Sequence, residues 1–185
     1  MIDKPRGFST SLPALGTETV GVIHENLGIV LTYGFSRQAL DEYRGWAARE
    51  RWDVSDRVLL ELPRERATRA LIELAVMFRA LNDAWKITET DYVKTHPYVV
   101  YHSAGDVYGK VYGLDGTTKS LDLRDVPNKV IHATNIDWNF SNHWEPLIIC
   151  RAAEADHARF RWTHAEVFVN AFVAVCAALP YYPHA

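Results

Sequence analysis

Arg124, Asn128 and His132 recur every four residues in Leu123-Arg124-Asp125-Val126-Pro127-Asn128-Lys129-Val130-Ile131-His132-Ala133. On a helix that interval stacks side chains along one face. A guanidinium, an amide and an imidazole in a line can grip an anionic or carbonyl oxygen while His132 serves as general acid or base near neutral pH. Lys129, in the same segment, and Trp138, just beyond it, complete a set of candidate ligand-binding residues with Arg124 and Asn128. The quieter alternative is that His132 hydrogen-bonds a neighbouring backbone carbonyl and Asn128 caps a loop. Leu123, Val130 and Ile131 form the apolar ridge that would dock such a helix. Pro127 is tolerated only in its first turn, which leaves Arg124 just ahead of the regular helix.

Several elements must position that face. After an N-terminal arm over residues 1–16, β-branched and aromatic runs at Thr19–His24 and Ile29–Tyr33 flank Glu25-Asn26-Leu27-Gly28, the pattern of a β-hairpin. Ser36 then caps a helix over 37–49. The clearest helix starts at Pro63 and runs to Trp85, with Leu71, Leu74, Phe78, Leu81 and Trp85 on helical spacing. A second hairpin is expected from Tyr98–His102 and Val107–Tyr112, followed by a turn at Leu114-Asp115-Gly116. Leu147–Cys150 and Phe160–Trp162 read as strands joined through Glu154–His157. Thr163-His164-Ala165-Glu166 fits a capping box, so a last helix is expected from His164, with Phe168, Phe172, Val175 and Leu179 inward and Pro180 ending it. The sum is one α+β domain over 1–185, with antiparallel hairpins packed on about four helices.

Composition narrows the function classes. The 185 residues are 48% hydrophobic and 12% aromatic, enough for one substantial core. Twenty Lys and Arg against 23 Asp and Glu give a net charge of −3, and the basic residues are scattered, so no electrostatic footprint for duplex nucleic acid is present. Cys150 and Cys176 carry no zinc or disulfide spacing, which fits a reducing cytoplasm. Met1-Ile2-Asp3-Lys4-Pro5-Arg6 lacks the apolar core of a signal peptide, and no apolar run has the length of a membrane span. Among the eight histidines, His96, His102, His143 and His157 fall in strand or loop regions without metal-ligand spacing. Phosphate-binding glycine loops and nucleophile elbows are missing, so no cofactor is expected. Tyr92, Tyr98, Tyr101, Tyr108 and Tyr112 crowd one hairpin and suit an interface. Tyr181-Tyr182-Pro183 points to a docked C-terminus or a homodimer contact.

Arg124 followed by Asn128-Lys129-Val130-Ile131-His132-Ala133 resembles a pattern in uncharacterised bacterial proteins, which implies no particular activity. It is also loosely similar to the HEPN ribonucleases, whose motif places four to six residues between an Arg and a His on a helix of an all-helical bundle. Arg124 and His132 depart from that spacing, whereas Arg151 and His157 match it at a strand end and a turn. That resemblance implies a metal-independent ribonuclease or other hydrolase with Arg and His on the RNA phosphate. The residues themselves favour a soluble interaction or ligand-binding domain, with an unidentified protein or small molecule as partner and with the hydrolase using His132 as the alternative.

Overall fold

A computed structural model describes residues 16–47, 57–89, 107–142 and 145–180. Two long helices come first. Helix α1 (Thr17–Ala47) buries Ile23, Leu27, Val30 and Tyr33 along one stripe. Helix α2 (Leu62–Trp85) follows a π-turn at Arg57–Glu61, has a proline in its first turn and buries Ala67, Ala70, Leu71, Leu74, Ala75 and Phe78. The two run antiparallel. Asn26 Nδ2 of α1 donates to Glu73 Oε2 at 3.0 Å, while Tyr33, further along α1, meets the ring of Trp138, whose Nε1 donates to Thr68 earlier in α2.

The sheet follows as β1 (Gly109–Gly113), β2 (Thr118–Ser120), helix α3 (Asp125–Ile131), β3 (Asn135–Asn139), β4 (Leu147–Arg151), a short helix α4 (His157–Phe160) and β5 (Trp162–Phe168), before the closing helix α5 (Val169–Ala178). Among the described residues five strands pair antiparallel in the order β2-β1-β5-β4-β3, so the last of them lies in the middle. Register sorts the side chains. Ile136, Cys150, Ala165 and Val111 form one row across the sheet, and Trp138, Ile148 and Val167 form the next, ending at Gly109. These rows face the helices, because period-two alternation sends neighbouring residues to opposite faces and the buried residues are on this one. Phe172 of α5 meets Phe78 of α2 edge-on at 5.8 Å, closing one continuous core. The other face carries Asn135, Arg151, His164 and Tyr112 in one row and Asp137, Ile149, Glu166 and Lys110 in the next. Gly109 is required where it stands: its φ is +149°, and a Cβ there would run into the Glu166 carbonyl of β5.

The α+β class expected from the sequence is the observed one. The expected hairpin over Thr19–Tyr33 is replaced by the first half of α1, and the separate helix from Ser36 is its second half. The physical reason is tertiary. Ile23, Leu27 and Val30 carry helical spacing that is paid out against α2, and Asn26, expected in a turn, is 5% exposed and bonded to Glu73. The helix expected from His164 starts instead at Val169, and Thr163-His164-Ala165-Glu166 lies in β5. Thr163 is the extra residue of a bulge between the pairs Tyr112 with His164 and Gly113 with Trp162, and its hydroxyl donates to the Tyr112 carbonyl at 3.2 Å instead of capping a helix. Phe160 belongs to α4, not to a strand. The turn at Leu114-Asp115-Gly116 joins β1 to β2, whereas Tyr92, Tyr98–His102 and the 181–185 tail lie outside the described residues. No helix among the described residues is long and apolar enough to cross a membrane.

Candidate functional site

Helix α3 is a short wedge: Val126, Pro127 and Val130 are buried, and Asp122 Oδ1 accepts from the Asp125 N–H at 2.9 Å just ahead of it. Its brevity divides the residues read as one face. Arg124 and Asn128 do come together, lining a small pocket of about 170 Å³ with Arg79, Asn82 and Asp83 of α2. Asn82 is already engaged there, its Oδ1 accepting from the Thr88 N–H at 2.9 Å and hydroxyl at 3.1 Å. His132 lies past the last helical residue with its N–H on the Asn128 carbonyl at 3.1 Å, and its ring stacks on Phe160 at 4.9 Å. It does not line the Arg124 and Asn128 pocket. Trp138 sits on β3, half-buried, with its indole N–H 2.9 Å from the Thr68 hydroxyl and its ring against Tyr33 and Phe140. Arg37 covers Phe140 at 5.6 Å and is held by Asp41 at 2.8 Å. Tyr33 also lines an apolar cleft of about 460 Å³ between α1 and the start of α2. Burial pushes the Tyr33 phenol up, opposed by Arg37.

Lys129 belongs elsewhere, in a cleft of about 520 Å³ between the β1–β2 turn, α3 and the residues joining α4 to β5. Its walls carry three cationic side chains, Lys119, Lys129 and Arg161, against one carboxylate, Asp115. That carboxylate is committed: Asp115 Oδ1 accepts both the Thr117 hydroxyl at 2.6 Å and the Thr117 N–H at 3.0 Å, which hold its pKa below the usual carboxylate range. The Lys129 ammonium is half-buried and rests 4.9 Å from the centre of the Trp162 ring. Burial lowers its pKa, and Asp125 and Asp122 pull it partly back. Among the described residues no carboxylate lies within ion-pair distance of it.

Arg161 is the unusual wall residue. It ends α4 with φ 60° and ψ 22°, its N–H on the His157 carbonyl at 2.7 Å. This left-handed position after a helix is normally glycine, because any Cβ there crowds the backbone. An exposed arginine occupies it and lines the cleft.

Chemically the cleft offers two open cations and one half-desolvated amine around a polar floor, an arrangement suited to a small anion. Sequence reasoning found Lys129 and missed Lys119 and Arg161. The three come from α3, β2 and the turn after α4, so no spacing links them. The HEPN-like pair is also separated in role: Arg151 ends β4 and contacts Asp137 at 3.4 Å, while His157 opens α4. Cys150 is buried and its thiol is pushed up to about 12, and Cys176 is raised further, so neither is a ready nucleophile. No three His, Cys, Asp or Glu side chains among the described residues are grouped to hold a metal ion. No family model, no curated protein and no solved structure matches this chain.

Proposed function

We propose that this chain is a ligand-binding domain that takes a small anionic molecule in the cleft of Lys119, Lys129 and Arg161. The observation that carries the reading is the gathering of Lys119, Lys129 and Arg161 from three separate elements around one cleft whose single carboxylate, Asp115, is bonded to Thr117; Arg161 keeps a left-handed backbone there, as Lys86 does after α2. Lys129 supports it, since an anion would add counter-charge at contact distance to a half-buried ammonium that Asp125 and Asp122 only partly compensate. The chain as a whole is acidic at −3, so this cationic cleft is a local departure and not a reflection of overall composition.

The hydrolase reading through His132 draws little from this arrangement, because the ring packs on Phe160 and is not part of the cleft wall. We further place the protein in a reducing cytoplasm, a reading to which the two buried free thiols are suited. Titration with inorganic phosphate, sulfate and small dicarboxylates, followed by the NMR signals of the Trp162 indole and the Lys129 side chain, tests the proposal. Saturable shifts that weaken in Lys119→Ala and vanish at high salt are expected. Shifts that are linear in every anion, or unchanged by Lys119→Ala, would overturn it.

A further inference from the structure

We infer that Lys129 is an imine-forming lysine, which captures a small carbonyl compound carrying an acid group in the cationic cleft. The inference rests on the anion-binding reading above and adds to it a covalent step. Three features set Lys129 apart. Its Nζ lies over the Trp162 ring, so one side of the amine faces an aromatic surface instead of water. It lines an open cleft and is not sealed in the core. The two other cations of that wall, Lys119 and Arg161, are positioned to hold an acid group while a neighbouring carbonyl carbon meets the amine.

The groups around the amine decide how it titrates. Asp125 and Asp122 stabilise its protonated form from within and ahead of α3, and the face of the Trp162 ring favours that form as well. Asp115 is tied to Thr117 and kept ionised. Loss of water around the amine is the largest effect and favours the neutral form that attacks carbonyls. Arginine and an ordinary exposed lysine would both be poorer nucleophiles at neutral pH.

In the step itself the neutral Nζ adds to the carbonyl carbon, and a proton passes from nitrogen to oxygen to give a carbinolamine. Water then leaves with the C–O bond and the C=N bond forms. The sum is amine plus carbonyl giving imine plus water, with no oxidant or reductant consumed.

Glyoxylate is the test compound, with glycolate as its counterpart that has the same carboxylate and an alcohol in place of the aldehyde. The full chain is incubated with each at neutral pH and treated with borohydride, which fixes an imine as carboxymethyl-lysine, and the modified lysines are located by peptide mass spectrometry. Lys129 should be labelled by glyoxylate about tenfold or more faster than the exposed Lys86 and Lys110. Labelling there should slow in Arg161→Gly, stop in Lys129→Arg, and be competed by glycolate. Glycolate binding at the cleft with Lys129 labelled no faster than the exposed lysines would overturn the imine and leave the anion site standing. Neither binding of glycolate nor selective labelling would overturn both.

Discussion

Replacing Arg161 by glycine should make the protein more stable and a poorer binder at once. A non-glycine residue in the left-handed region costs about 1–2 kcal/mol, and the greater freedom of glycine in the unfolded chain offsets about 0.5–1 kcal/mol of that relief. Arg161 is exposed, so its removal deletes no buried contact and leaves the α4 end bond to His157 in place. The net expectation is a gain of about 0.5–1 kcal/mol, or about 1–4 °C in a chain of this size. Against this, one charge-assisted contact to a bound anion contributes about 1.5–3 kcal/mol, so affinity should fall by about 10- to 150-fold. Arg161→Ala separates the two effects, since it removes the same charge while keeping a Cβ in the left-handed position. It should lose the affinity without gaining the stability. Urea denaturation gives the stability difference, read from the midpoint at constant slope, and calorimetric titration with the best anion gives the affinity. The reasoning fails if Arg161→Gly lowers the midpoint, or if both variants bind as the parent does.

Gly109→Ala should cost at least about 3 kcal/mol, because β1 and β5 must separate to admit the Cβ against the Glu166 carbonyl; an unchanged urea midpoint would refute the close approach. Alkaline pH should destabilise the fold through its thiols: Cys150 ionises near 9.0 when unfolded but only near 12 when folded, so the unfolded state holds fewer protons in that window and stability falls by about 1.4 kcal/mol per pH unit. Replacing Cys150 and Cys176 together by alanine should flatten the decline between those limits, as measured by melts at increasing pH. Asn26→Ala removes the side-chain bond between α1 and α2 and should lower stability by about 1–2 kcal/mol while anion affinity in the distant cleft stays unchanged.

What the sequence discloses here depends on whether a residue's role is local. The α2 stripe is legible because a helix buried along one side repeats its apolar residues whatever it packs against. Helix α1 is less so, since its β-branched runs favour strand locally and the decisive contact, Asn26 with Glu73, joins distant segments. The Thr163 to Glu166 capping signal misleads for the same reason: strand pairing with β1 and β4 outweighs a cap whose hydroxyl finds the Tyr112 carbonyl instead. Within the candidate site, Arg124 and Asn128 meet as their spacing implies, yet His132 falls beyond the end of a helix only seven residues long. The cleft cations share no periodicity, and the unusual conformation of Arg161 has no signature in the residue type that adopts it.

The place of β5 in the middle of the sheet also dictates an order of assembly. Pairing of Gly109 with Val167 and of Leu147 with Phe168 cannot occur on the ribosome until the chain has been made through Phe168. Helices α1 and α2, neighbours in sequence, can associate long before that. Until the last strand arrives, β1 and β4 each present an open edge to solvent, which is the template for wrong pairing between nascent chains. Chains arrested before Trp162 should therefore leave the β1–β2 segment open to protease, and chains arrested well past Phe168 should protect it.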